Sequence, residues 1–260
     1  MSIVNLATGC FSILMAANIE FISISVNFDT MPIDRSLTLN FKLSKKGYDP
    51  LHVCEVGVYL PETCSVRPFI LAGKKASLVE ANPVMVEKIR EAFKDYPQTK
   101  IFPFAVGDKP GMLTLYNRGA STFIENVESP AMVNDQYTKS DNDRFEVEAK
   151  TFDQMDDGTI DILCIDIEGA EWFVLSHLVS KPKMISVETH GKYYLNPNLS
   201  KIESWMKERG YEKWYKDKSD TVYVQTHSIP VSFFEKIELA FINIYLMARR
   251  LKGLLRSNKN

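Results

Sequence analysis

A chain of 260 residues with 45% hydrophobic and 25% charged side chains can build one large domain with terminal additions and needs no disulfides to hold it. A formal net charge of -2 excludes a broad electrostatic grip on nucleic acid. Cys10, Cys54, Cys64 and Cys164 are scattered without a C-x-x-C pair, which excludes a disulfide framework or a zinc site of that spacing and points to a reducing, cytoplasmic compartment.

The first 35 residues are apolar but contain no Lys or Arg before Arg35, so they lack the basic start of a signal peptide. Asn18, Glu20, Asn27 and Asp29 interrupt the stretch before it could cross a bilayer, and it reads as an N-terminal extension (1–35). From residue 36 to 228 short apolar runs alternate with helical patterns. Residues 36–46 predict a helix stopped at Gly47, and 51–56 (LHVCEV) a strand closing on Gly57. A helix is expected over 61–71, with Pro61 in its first turn, and a strand over 76–80. A helix over 83–94 and a strand over 101–106 follow, the latter ended by Gly107-Asp108.

Beyond them come a strand-like piece at 112–116, a polar loop or lid over 117–144, and a returning strand at 145–152. The continuous run 160–165 (IDILCI) has the look of a parallel strand covered on both faces. A helix over 170–179, a fifth strand over 183–188 and a helix over 198–209 precede a closing antiparallel hairpin at 211–216 and 221–225. Five alternations and a hairpin are the order of an α/β doubly wound sheet, mostly parallel, with an antiparallel edge. The remainder, 229–260, reads as an amphipathic basic helix.

Such sheets bind ligands outside the carboxyl ends of their strands, so the residues just after each strand are the informative ones. Gly57 allows a tight turn beside a ligand, and Glu80 ends the second strand, where a carboxylate can accept both hydroxyls of a ribose. The densest cluster, Asp166-Ile167-Glu168-Gly169-Ala170-Glu171, stands behind the fully apolar fourth strand. Asp166 and Glu168 are expected to face the cleft, Gly169 to permit close packing, and Glu171 to favour the helix dipole. Glu188 and His190 follow the fifth strand, and a His there suits a general base near neutral pH. His52, His177 and His227 read as structural.

These residues resemble the FkbM family of S-adenosylmethionine-dependent methyltransferases. The likeness rests on VCEVG (53–57), LVEANP (78–83), FAVGDKPG (104–111), the run from Thr151 to Glu171 containing IDILCIDIEGAE, and ISVETH (185–190). It implies a Rossmann-like sheet of the class I methyltransferase type and methylation of a hydroxyl on a sugar, glycan or secondary metabolite. Carried over by position, it puts Glu55 and Gly57 around the methionine end of the donor, Glu80 and Asn82 at its ribose, and Ala105, Val106 and Asp108 flanking its adenine. Asp166 and Glu168 fall beside the transferred methyl, with Ser121 and Thr122 near the site. The sequence departs from the family's D-x-G-A-N-x-G, placing Tyr59 for the Asn and Pro61 for the second Gly, so donor contacts from that loop must differ.

The expected reaction is in-line methyl transfer to an oxygen, with His190 or Asp166 as base and Glu168 shaping the acceptor pocket. No metal is expected; the alternative is a magnesium ion on Asp166 and Glu168. Two rivals stand beside this reading. A nicotinamide enzyme acting on sugars would need a G-x-G-x-x-G loop, which is missing, and the one Y-x-x-x-K (Tyr96 to Lys100) is misplaced. A degenerate binding module is motivated by the altered loop and by the apolar stripe over 233–255, ending in Arg249, Arg250, Lys252, Arg256 and Lys259. That helix suits packing on its own domain, a second subunit in a homodimer, or peripheral contact with the inner, anionic face of a membrane.

Overall fold

The computed structural model describes the backbone of residues 3–5, 10–17, 20–27, 35–217 and 219–257, and the side chains of residues 38–217 and 219–249. Near the N-terminus β1 (Ile3–Asn5), β2 (Cys10–Ala17) and β3 (Glu20–Asn27) form a three-stranded antiparallel sheet in that order. These strands add to an extension for which the sequence pattern predicts no element. Its side chains lie outside the described residues, as do those of the basic cluster beyond Arg249.

The main body starts with α1 (Arg35–Lys45), β4 (His52–Val56), α2 (Arg67–Leu71), β5 (Lys75–Val79), α3 (Pro83–Ala92) and β6 (Thr99–Phe102). Next come β7 (Ala105–Val106), β8 (Gly111–Tyr116), β9 (Phe123–Ile124), α4 (Pro130–Asn134) and β10 (Arg144–Lys150). It closes with β11 (Ile162–Ile165), α5 (Glu171–Ser176), β12 (Met184–Glu188), α6 (Leu199–Glu208), β13 (Tyr211–Lys216), β14 (Asp220–Gln225) and α7 (Phe233–Ser257).

Seven of these strands form one sheet in the order β13-β14-β12-β11-β4-β5-β6. The pairs β12–β11, β11–β4, β4–β5 and β5–β6 are parallel, while β14 runs antiparallel to both neighbours. The expected terminal antiparallel hairpin is β13–β14, which closes one side of the sheet with β14 against β12 and β13 at the edge. From β4 the chain winds first toward β6 and later toward β13, so the winding reverses between β4 and β11.

Strand alternation sends successive side chains to opposite faces. Val53, Ala76, Leu78 and Ile162 meet Leu39 and Leu43 of α1, Phe69 and Ile70 of α2 and Ile89 of α3 on one face. Cys54, Val56, Leu163 and Ile165 meet Val174 and Leu175 of α5 and Ile202 and Met206 of α6 on the other. Each fully buried side chain of this size contributes about 1.5–3 kcal/mol, so the continuous apolar runs are a direct consequence of two covered faces. Cys54 and Cys164, on β4 and β11, are buried as small hydrophobes.

A second sheet, β7-β10-β8-β9, was only partly foreseen. The predicted strand over 101–106 breaks at Pro103, which has no N–H for a ladder, leaving β6 in the main sheet and β7 in the small one. The predicted pieces at 112–116 and 145–152 pair antiparallel as β8 and β10. Ala105, Leu115, Ile124 and Val147 pack this sheet against Ala170, Ile167 and Phe173, setting it over the end of β11.

The helix expected over 61–71 is confined to α2, five residues long. Pro68 in its first turn could not donate to the carbonyl four residues back, so the helix cannot reach Pro61. At the other end of the chain Glu235 anchors α7. Its carboxylate accepts from Lys46 Nζ (2.7 Å), Trp214 Nε1 (2.7 Å) and Ser232 N (2.7 Å). Burial would raise its pKa, but these donors outweigh it and hold the group down at about 2. Ile242 is buried as well, so the first half of α7 packs on its own domain.

Candidate active site

Two chambers of one cleft open where the sheet reverses its winding. Gly57 begins the cleft, with φ +89°. A Cβ there would lie 1.9 Å from the carbonyl oxygen of Asp166, so only glycine lets the ends of β4 and β11 come together. Main-chain bonds from Gly57 N to Val79 O (2.9 Å) and from Asp166 N to Val56 O (3.0 Å) tie three strand ends at this point.

The first chamber runs from Glu80 to Asp166 and is walled by Phe104, Val106, Leu115 and Ile124. Glu80 is buried, and its two oxygens accept from Tyr59 N (2.8 Å) and Asn82 N (2.7 Å). Burial raises its pKa, against the opposing pull of those backbone donors. Asn82 serves as the N-cap of α3, its side chain accepting from Val84 N at 3.0 Å, with Pro83 in the first helical position. Ala105 and Val106 line this chamber together with Gly57, Glu80 and Asn82. Asp108 does not. Its side chain is 72% exposed beside His177, whose ring meets its main-chain oxygen at 3.1 Å, so it is withdrawn from the site.

The second chamber shares Gly57, Tyr59, Ala120, Asp166 and Glu168 with the first and extends to Glu55, Glu188 and Ser219. Glu55 stands on its wall but is engaged in holding the turn before α2. Its Oε2 accepts from Cys64 Sγ (3.0 Å) and Val66 N (3.1 Å), and burial pushes its pKa up to about 7. Ser121 lines the second chamber and Thr122 the first, which puts the 117–144 segment over the cleft. That segment is held by α4, whose Asn134 Oδ1 accepts from Tyr193 N (2.8 Å) and Tyr194 N (3.0 Å).

Asp166, Glu168 and Glu188 converge between the chambers, one carboxylate oxygen of each lying within 4.8 Å of the others. Glu168 adopts φ +57° and Tyr59 φ +54°, a conformation that costs a non-glycine residue about 1–2 kcal/mol. Gly169 follows with φ +107°, and a Cβ there would lie 2.2 Å from Glu128 O. Glu171 does more than favour the helix dipole. It is fully buried, and its Oε1 accepts from Ile167 N (3.1 Å) and Gly169 N (3.0 Å), while its Oε2 takes the Asn196 amide. Glu171 thus sets the turn that presents Glu168, and burial pushes its own pKa up to about 7.

His190 is not brought to this cluster. Its Nδ1 lies 2.9 Å from Thr189 Oγ1 and its Nε2 3.2 Å from Asp217 O, and it lines a separate recess beside α7. Thr189 N and His190 N both donate to Ser219 O, which turns the chain out of strand geometry just after Glu188. The acid at the end of β12 that enters the cleft is therefore Glu188, which the choice of His190 had passed over. Strand parity gives no signal here, since residues two apart share a face; what separates them is that Glu188 is the last residue on the ladder and His190 lies beyond it.

An α/β sheet with acids at successive strand ends around its reversal point is the class of arrangement found in methyltransferase folds. A family model described as the methyltransferase FkbM domain matches residues 55–213, and the chain belongs to that family of S-adenosylmethionine-dependent enzymes. A comparison with curated proteins finds no match. Among solved structures the chain is similar to a SAM dependent methyltransferase from Aquifex aeolicus, at 11% identity and a TM-score of 0.40, covering 76% of this chain and 93% of that one. It is also similar to precorrin-6y C5,15-methyltransferase from Geobacter metallireducens, at 14% identity and TM-score 0.35, covering 81% and 91%. A third is the ribosomal protein L11 methylase of Lactobacillus delbrueckii subsp. bulgaricus, at 13% identity and TM-score 0.39, covering 74% and 78%. Among the described residues no helix is long and apolar enough to cross a membrane.

Proposed function

We propose that the protein transfers a methyl group from S-adenosylmethionine to a hydroxyl of a sugar, glycan or secondary metabolite, on a doubly wound sheet of the class I type. The observation that carries this reading is that Glu80 and the Asp166–Glu168 pair line one chamber. The chamber suits an adenosine: it has apolar walls at Phe104, Val106 and Ile124, and the acid Glu80 among its lining. Each Glu80 oxygen accepts one backbone N–H and keeps capacity for a ribose hydroxyl. The loop that carries Pro61 is fastened to Glu80 through Tyr59 N at 2.8 Å.

The donor supplies an electrophilic methyl on a sulfonium. The protein's part is to align the acceptor oxygen and to receive its proton. Asp166 and Glu168, which belong to both chambers, are at the junction where the two substrates would meet. The second chamber, with Thr63, Ser65, Ser121, Asn134 and Ser219, is polar enough to hydrogen-bond a polyhydroxylated acceptor. Calorimetry with S-adenosylmethionine and S-adenosylhomocysteine tests the reading. Saturable binding of both supports it, and no binding of either removes it in favour of a degenerate module.

That second reading, a module peripheral to a membrane, is favoured by the exposure of Phe233, Phe234, Ile244 and Met247 on α7. Ile244→Glu with Met247→Glu should abolish sedimentation with anionic vesicles if α7 lies on lipid. Equal sedimentation of both proteins would refute it.

A further inference from the structure

We propose that Asp166, Glu168 and Glu188 bind one hard divalent cation, magnesium or manganese, on the side of the cleft that receives the acceptor. The carboxylates come from the ends of two adjacent parallel strands, β11 and β12, and their oxygens converge within 4.8 Å. Two features beyond this clustering point to a ligand. Glu188 is 6% exposed, and its Oε2 has no hydrogen-bond partner among the described residues. The Tyr194 hydroxyl, on a residue 1% exposed, likewise lacks one; it lies 3.2 Å from the Cβ position of Gly169, in the turn that presents Glu168. Buried polar atoms normally find partners, so two orphans beside one acidic cluster mark a place built for something else to complete.

Electrostatics point the same way. The second chamber is lined by the acidic side chains of Glu62, Asp135, Asp166, Glu168 and Glu188 besides the turn-holding Glu55, with no Lys, Arg or His among its lining residues. A cleft of one sign with low-dielectric walls concentrates counter-ions. An all-oxygen donor set selects hard cations over zinc or copper, and three carboxylates leave coordination positions for water and one substrate oxygen. The expectation of no metal followed from the absence of His and Cys spacing, which an all-carboxylate group assembled from two strands does not show.

The use assigned to the ion rests on the methyl-transfer reading; its binding does not. A hydroxyl oxygen on the cation becomes more acidic. Its proton passes to a nearby carboxylate oxygen, and the electron pair left on oxygen forms the bond to the methyl carbon as the carbon–sulfur bond breaks.

The test uses the full chain, stripped with chelator and titrated with Mn2+ by electron paramagnetic resonance and with Mg2+ by calorimetry, no nucleoside being present. A single saturable Mn2+ equivalent is expected, competed by Mg2+. Glu188→Gln and Asp166→Asn should weaken it more than about a hundredfold, beyond the roughly 10–100-fold that loss of an outer-shell contact costs. Thermal melting separates this from misfolding. Glu188→Gln should melt no lower than wild type in chelator and should lose the rise that Mg2+ gives wild type. Absence of bound Mn2+ in the wild type, or equal affinity in both variants, overturns the proposal. If Mn2+ binds while S-adenosylmethionine does not, the site stands and its role in methyl transfer falls. If the nucleoside binds while Mn2+ does not, the cation site falls and methyl transfer stands.

Discussion

Gly57 and Asp166 approach so closely that a Cβ on the first would sit 1.9 Å from the carbonyl oxygen of the second. The contact is backbone against backbone, so no side-chain rearrangement can relieve it. Gly57→Ala should therefore destabilise the fold by roughly 2–4 kcal/mol, combining the unfavourable φ with the clash. Urea denaturation measures this. A midpoint equal to wild type would mean that the strand ends can separate freely.

Glu80 holds the loop and, in our reading, the donor ribose. Glu80→Gln removes the charge while keeping one acceptor oxygen. Hydrogen bonds to a charged group contribute about 1.5–3 kcal/mol, so S-adenosylmethionine should bind roughly 10–100-fold more weakly. An unchanged Kd by calorimetry would place the ribose elsewhere.

Glu188 and His190 make opposite predictions although only two positions separate them. His190 is spent on Thr189 Oγ1 and Asp217 O, outside the cleft, and His190→Gln should leave kcat within about threefold of wild type. Glu188→Gln should lower it roughly a hundredfold or more. Single-turnover assays with an accepted hydroxyl substrate decide between them, and the reverse order would restore the histidine as base.

Glu55 gives the fold a pH dependence of defined sign. Burial raises its pKa from 4.5 to about 7, so the folded state favours the protonated acid. The stability this provides is fully present below pH 4.5 and is lost as pH rises through about 7. At 1.36 kcal/mol per unit, the difference amounts to about 3 kcal/mol. Glu55→Gln, neutral at every pH, should flatten the fall in melting temperature between pH 5 and pH 8 that this group produces in the wild type. An identical slope in the two proteins would show that Glu55 does not titrate in that window.

Much of the architecture was legible because it is locally encoded. The apolar runs that became β4, β5, β11 and β12 were recognisable, since a strand covered on both faces has no polar alternation to confuse it. Glu80 and the acids after β11 stood out for the same reason, as charged residues abruptly ending such runs. Errors arose where one residue vetoed a periodic pattern. Pro103 split a strand between two sheets, and Pro68 shortened a helix that periodicity extended to Pro61.

The alternation of strands and helices, the glycine at the reversal point and the acids behind the strands are written in local sequence, because each depends on residues close in the chain. Long-range packing, by contrast, inserts β14 between β12 and β13, sets the small sheet over the end of β11, and brings Glu188 rather than His190 to Asp166 and Glu168. Those outcomes depend on partners far away in sequence. Ser219 O captures the Thr189 and His190 amides, and Asn196 with Glu171 shapes the turn under Glu168. Side-chain direction beyond a strand's last ladder bond is set by such long-range hydrogen bonds, for which local spacing carries no signal.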